Sequence, residues 1–189
     1  MNYSCKILAI GGSAGSLEVL LKVLPHLKEE ISFSIIIVLH RKNSSDSALS
    51  DLFSTRTKIP VYEVEDKQSI VPGNIYIAPA DYHLLIEKNI SFSLDFSEKV
   101  NYSRPSIDVT FESAADVFNT DLICLLLSGA NMDGSNGLKV AKENGAVTLV
   151  QDPETADSKI MPSIAIKNNE IDHILTPDQI VTFINSINV

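Results

Sequence analysis

The opening of the chain restricts its fold more than any other feature. A short apolar run, Cys5 to Ile10, stops at Gly11-Gly12, apolar residues at helical spacing fill Leu17 to Leu24 as far as Pro25, and an Ile-rich run follows at Phe33 to Leu39. That order is strand, tight turn, helix, strand, and two apolar strands joined through a helix pair in parallel with both faces covered. The pattern recurs. Ser47 to Thr55 reads as a helix with Ala48, Leu49, Leu52 and Phe53 facing inward, and Ile107 to Phe118 as another whose start is marked by Pro105-Ser106. The strand Asp121 to Leu127, the helix Gly134 to Glu143 and the strand Val147 to Gln151 make a further unit. A helix after Pro162, a short strand at His173 to Leu175 and a last helix with Pro177 in its first turn complete the chain.

Residues 61–94 break the alternation with short β-type pieces, Val61 to Val64, Asn74 to Ile77, His83 to Ile86 and Ile90 to Leu94, separated by turn residues. The expected class is therefore α/β, a doubly wound, mainly parallel sheet with helices on both faces and a short hairpin-rich edge. At 189 residues, 44% of them hydrophobic, one compact domain is expected. Charge excludes some partners: 15 Lys and Arg against 24 Asp and Glu leave a net −9, which repels nucleic-acid phosphates and anionic lipid. The runs Ile35 to Leu39 and Leu122 to Leu127 fall far short of the roughly 20 residues that cross a bilayer, so no membrane insertion is expected. Cys5 and Cys124 both sit in apolar runs with no sign of a disulfide framework or a thiolate metal site, which fits a reducing cytoplasm.

Gly11-Gly12-Ser13-Ala14-Gly15 matches the Gly-x-Ser-x-Gly pattern and lies between a strand and a helix, where a sharp turn lifts the serine hydroxyl clear of the sheet. Ser13 is thus a candidate nucleophile, with backbone N–H groups at the following helix start available to an oxyanion. Of the four histidines, His40 is the one at the carboxyl end of the neighbouring apolar strand, which suits a base; His26, His83 and His173 read as structural. Asp133 follows the strand Asp121 to Leu127 and suits the carboxylate that orients the imidazole, although an Asp before Gly134 also suits an N-cap of the next helix. A different reading makes the glycine turn a phosphate cradle. Gly11, Ser13 and Ser16 occupy the glycine slots of Gly-x-Gly-x-x-Gly, and His40-Arg41-Lys42 offers cations to a 2′-phosphate, so an NADP-binding Rossmann oxidoreductase is the alternative.

Several separated stretches together resemble the catalytic domain of CheB-type protein-glutamate methylesterases of bacterial chemotaxis. Ile10 to Ser16 is similar to the nucleophile turn and Val38-Leu39-His40 to the base strand. Pro72 to Pro79 with His83-Leu84, Arg104-Pro105-Ser106-Ile107-Asp108, Ser128-Gly129 through Asp133-Gly134 and Met161 to Ile166 match further signatures. The resemblance implies a hydrolase that removes methyl esters from chemoreceptor glutamates, with deamidation of glutamines in some members. It implies Ser13 as nucleophile, His40 as base and Asp133 as its orienting partner, with Ala14, Gly15, Arg104 and Ala130 lining the substrate and oxyanion side, and neither a metal nor an organic cofactor. The partner it implies is the methylated cytoplasmic domain of a chemoreceptor.

The chain also departs from the family pattern. Ala14 stands where Thr is frequent, Leu39-His40-Arg41-Lys42 replaces Gln-His-Met-Pro, and Gly129-Ala130-Asn131-Met132-Asp133-Gly134 replaces Gly-Met-Gly-x-Asp-Gly. Ser103 occupies the place of the His that precedes Arg-Pro-Ser. Residues 1–189 read as a single catalytic domain with no room for the receiver domain of full-length members, so control is expected from a separate response-regulator or kinase partner. A non-catalytic receptor-binding relative would keep the groove and lose the triad.

Overall fold

The computed structural model describes residues 5–41 and 47–187, and within the second stretch the side chains of Ser47 and Ala48 are left out. Lys42 therefore lies outside the described residues, as does the side chain of Ala48 that the sequence reading faces inward. In chain order the elements are β1 (Ile7–Gly12), α1 (Ser16–Val23), β2 (Ser34–Leu39), α2 (Ser47–Ser54), β3 (Val61–Glu63), β4 (Ile75–Ile77), β5 (His83–Glu87) and β6 (Ser91–Asp95). They continue with α3 (Ile107–Phe118), β7 (Leu122–Leu126), α4 (Ser135–Glu143), β8 (Val147–Gln151), α5 (Ile160–Asn168), β9 (His173–Leu175) and α6 (Pro177–Ser186). Seven strands form one parallel sheet in the order β3-β4-β2-β1-β7-β8-β9.

Period-two alternation in the central strands explains why both faces are covered. Ile7, Ala9, Ile36, Val38, Cys124 and Leu126 face a core shared with α3, α4 and α5, while Leu8, Ile10, Ile35, Ile37, Ile123 and Leu125 face one shared with α1 and α6. The amphipathic helix α3 buries Ile107, Phe111, Ala114, Ala115 and Phe118 against the first face. The order of strands reverses direction between β1 and β7, and ligands in such sheets sit outside the carboxyl ends at that reversal.

Two sequence expectations change. The short pieces of 61–94 do not form one hairpin-rich edge: β3 and β4 extend the parallel sheet, and only β5 and β6 pair as a hairpin, tied to α3 by the Thr110 hydroxyl on the Leu84 carbonyl (2.8 Å). The first strand also does not stop at the glycines, because Gly11 and Gly12 stay in register with Val38 and Leu39. Gly11 is there for close approach rather than for turning. A Cβ on it would meet Ile107 Cγ2 at 2.3 Å, so its bare face lets the first turn of α3 press onto the end of β1.

Candidate active site

Consecutive parallel strands place the first two candidates side by side. Gly12 pairs with Leu39, so Ser13 and His40 each stand one residue past the last pair, and the His40 N–H donates to the Gly12 carbonyl (3.1 Å). The Ser13 turn is pinned by its backbone. Its N–H donates to the Ser128 carbonyl (2.9 Å) and to Ser16 Oγ (3.0 Å), Ser16 Oγ donates to the same carbonyl (2.6 Å), and Ser128 Oγ donates to the Ala14 carbonyl (2.6 Å). The turn itself comes at Gly15, whose φ of 82° is open to glycine at no steric cost. Among the described residues the N–H groups of Ala14, Gly15 and Ala130 donate to no protein acceptor, which leaves them available to an oxyanion. The loop is no open phosphate cradle, since the Asp157 side chain packs against Gly15 and would repel a phosphate.

Asp133 is fully buried, and its oxygens are saturated by donors. Oδ2 accepts from His40 Nε2 (2.7 Å) and the Ile107 N–H (2.6 Å); Oδ1 accepts from the Ser106 hydroxyl (2.8 Å), the Asn101 amide (3.0 Å) and the Asp108 N–H (3.3 Å). Two of these donors belong to the positive end of α3. Burial alone would raise the carboxyl pKa, but the hydrogen bonds from His40, Asn101, Ile107 and Ser106 win and hold it down at about 2. The N-cap expectation fails here: α4 is capped by Gly134 with no side-chain bond, and Asp133 points instead at α3. The neighbouring Asp108 shows the opposite balance. Burial dominates over the bond from the Gly137 N–H, the charge of Asp133 adds to it, and the pKa rises to about 6.

An ionised Asp133 can only accept, so His40 carries its proton on Nε2 and Nδ1 is left as the acceptor. The three candidates are only partly joined. Among the described residues Ser13 Oγ makes no hydrogen bond to His40, and Nδ1 instead meets Ser103 Oγ at 3.3 Å. A cavity of about 340 Å³ opens over His40, walled by Arg41, Asp81, Lys99, Ser103 and Arg104. A larger one of about 620 Å³ lies beyond Asn101, against Asp108, Met132 and Asn168, and touches neither His40 nor Ser13.

Arg104 borders the site but is already engaged: Nη1 donates to the carbonyls of Phe96 (3.1 Å) and Ser97 (2.6 Å), and the guanidinium lies 3.9 Å from the Phe96 ring centroid. Arg41, read as a phosphate ligand in the oxidoreductase alternative, is paired with Glu63 at 2.7 Å. His83 is structural as expected, accepting the Ser106 N–H on Nδ1 (3.1 Å) and meeting the Glu98 carbonyl through Nε2 (2.9 Å). Sequence reasoning missed Asn101 and the grip of Ser106 on Asp133. The signal for Ser106 was visible as a helix start, whereas nothing local connects Asn101 to a residue 32 positions away.

The sequence model described as CheB methylesterase matches residues 8–184. The chain belongs to the CheB methylesterase family. A Leptospira interrogans relative, carrying the provisional name protein-glutamate methylesterase/protein-glutamine glutaminase, is 43% identical over 180 residues, covering 95% of this chain and 92% of the relative. A Geobacter metallireducens protein-glutamate methylesterase/protein-glutamine glutaminase is 32% identical over 183 residues, 96% of this chain but 53% of the relative. The Thermotoga maritima protein of that name is 31% identical over 175 residues, again with about half of the relative spanned (51%). The crystal structure of the Thermotoga maritima CheB methylesterase catalytic domain superposes with a TM-score of 0.91 at 31% identity, covering 96% of this chain and 98% of that one. The oxidoreductase alternative falls with this assignment.

Proposed function

We propose that the chain hydrolyses glutamate γ-methyl esters on the cytoplasmic domain of a chemoreceptor by acyl transfer through Ser13. The observation that carries this reading is the 2.7 Å contact between Asp133 and His40 Nε2, at a strand end level with Ser13. Ser13 Oγ attacks the ester carbonyl and its proton passes to His40 Nδ1, while the buried charge of Asp133 stabilises the imidazolium. The oxyanion is received by the unpartnered N–H groups of Ala14, Gly15 and Ala130. Collapse breaks the carbon–oxygen bond to the methoxy group, which leaves as methanol with the Nδ1 proton, and a glutamyl ester remains on Ser13. Water then attacks, gives a proton to Nδ1 and releases the glutamate as Ser13 recovers its own. A glutamine follows the same path with ammonia as leaving group, in keeping with the glutaminase part of the relatives' names.

Arg104, beside the cavity over His40, completes the site as a contact for the receptor. The chain works in the cytoplasm under a separate response-regulator or kinase partner. Among the described residues no helix is long and apolar enough to cross a membrane. The contact of Ser103 with His40 Nδ1 favours a second reading, a receptor-binding relative without turnover. Methanol release from a methylated receptor cytoplasmic fragment separates the two: wild type releases methanol and Ser13→Ala does not. Binding of the fragment with no release by wild type would leave the second reading.

A further inference from the structure

Nδ1 of His40 has one lone pair, and two hydroxyls have a claim on it. Asp133 takes the Nε2 proton, so Ser13 can pass its own proton only to Nδ1, where Ser103 Oγ already stands at 3.3 Å. The position of Ser103 is set by its surroundings. Val100 and Ser103 exchange both backbone hydrogen bonds (3.2 and 2.8 Å) around Asn101 and Tyr102, whose φ values of 49° and 63° make a two-residue hairpin turn. The Asn101 side chain fastens that turn by donating to Asp108 (2.7 Å) and Asp133 (3.0 Å). From the other side Asn131 Nδ2 donates to Ser103 Oγ (3.3 Å), while Asn131 Oδ1 accepts the Asp133 N–H (3.2 Å). Ser103 and Asn131 thus touch each other between His40 and Asp133.

We propose that Ser103, seated by Asn131, is a positioning residue that holds His40 Nδ1 in the resting protein and must release it before Ser13 can react. The inference rests on the Ser13–His40–Asp133 reading above. Release is cheap because the single hydroxyl proton of Ser103 has a second acceptor, the Asn101 carbonyl at 3.4 Å. The latch therefore slows the nucleophile modestly, by less than a full hydrogen bond would.

The test is the rate at which a serine-directed phosphonofluoridate labels Ser13, a step that needs no receptor. The Ser13 oxygen–phosphorus bond forms, the phosphorus–fluorine bond breaks, fluoride leaves and the serine proton goes to His40. Ser103→Ala should label about 2- to 5-fold faster than wild type, and Ser103→Thr, which keeps the hydroxyl, should stay at the wild-type rate. In the same proteins the ¹⁵N resonance of His40 Nδ1 should move toward that of an unbonded ring nitrogen in Ser103→Ala, with Nε2 unchanged. An equal or slower rate in Ser103→Ala with folding intact, or an unmoved Nδ1 resonance, overturns the latch. Absence of labelling in every protein removes the triad reading and the latch with it.

Discussion

The two halves of the site are built to different standards. Around Asp133 everything is closed: a carboxylate with no exposure, both oxygens saturated, a helix N-terminus aimed at it and an imidazole held at 2.7 Å. Around Ser13 the backbone is pinned to Ser16 and Ser128, yet the hydroxyl is joined to neither the base nor any other described residue. A buried charge without donors would cost several kcal/mol, so the acid half must be complete before substrate arrives. The half around Ser13 carries no such penalty, and in the proposed reaction it can wait for the ester to bring the hydroxyl and Nδ1 together.

The largest effect should come from the closed half. Asp133→Asn can keep an amide oxygen toward the Ile107 N–H and His40 Nε2 only by turning its NH2 onto the Asn101 and Asp108 donors, and it removes the charge behind the imidazolium. Turnover should fall on the order of 10³-fold or more, measured as kcat for methanol release. A loss of only a few-fold would mean that the acid half is a structural plug. Ser16→Ala probes the open half: it removes a part-buried acceptor for the Ser13 N–H and a buried bond to the Ser128 carbonyl. Stability should fall by about 1 to 3 kcal/mol in urea unfolding, with a smaller drop in turnover than Asp133→Asn causes, because Ser13 N–H keeps the Ser128 carbonyl.

Much of the candidate site was legible because Ser13 and His40 each follow directly on an apolar strand and Asp133 lies in the loop after another, and the carboxyl ends of parallel strands converge. The fold class was legible for the same reason, from the repeated strand–turn–helix order. What could not be read is the α3 contribution. It depends on the bare face of Gly11 admitting Ile107, which is a tertiary fit, and a glycine before a serine reads locally as a turn rather than as a paired strand residue. Asn101 and Ser103 enter from a hairpin turn outside the βα alternation, so no spacing ties them to His40 or Asp133. The strands of 61–77 were misjudged because three-residue strands bounded by turns look alike whether they pair in parallel or as hairpins.

An effect no larger than that of Ser16→Ala is expected in the pH dependence of stability, and it separates the two buried carboxylates. Asp108 ionises near 3.8 when unfolded and near 6 when folded, so its contribution is full below about pH 4 and is lost as pH rises through about 6. Asp133 acts oppositely and lower, its stabilisation being lost as pH falls from about 4 through about 2. Unfolding free energies from urea titrations should therefore fall between pH 4 and 7 by an Asp108 share of roughly 1 to 3 kcal/mol, and Asp108→Asn should flatten that slope. An equal slope in both proteins would detach Asp108 from the closed half.

The covalent intermediate tests the central claim most directly. A methylated receptor fragment mixed with wild-type protein and quenched in acid within one turnover should yield an ester-linked receptor peptide, and peptide mass spectrometry should map it to Ser13. Its absence during methanol release, or its appearance on Ser103, would contradict acyl transfer through Ser13.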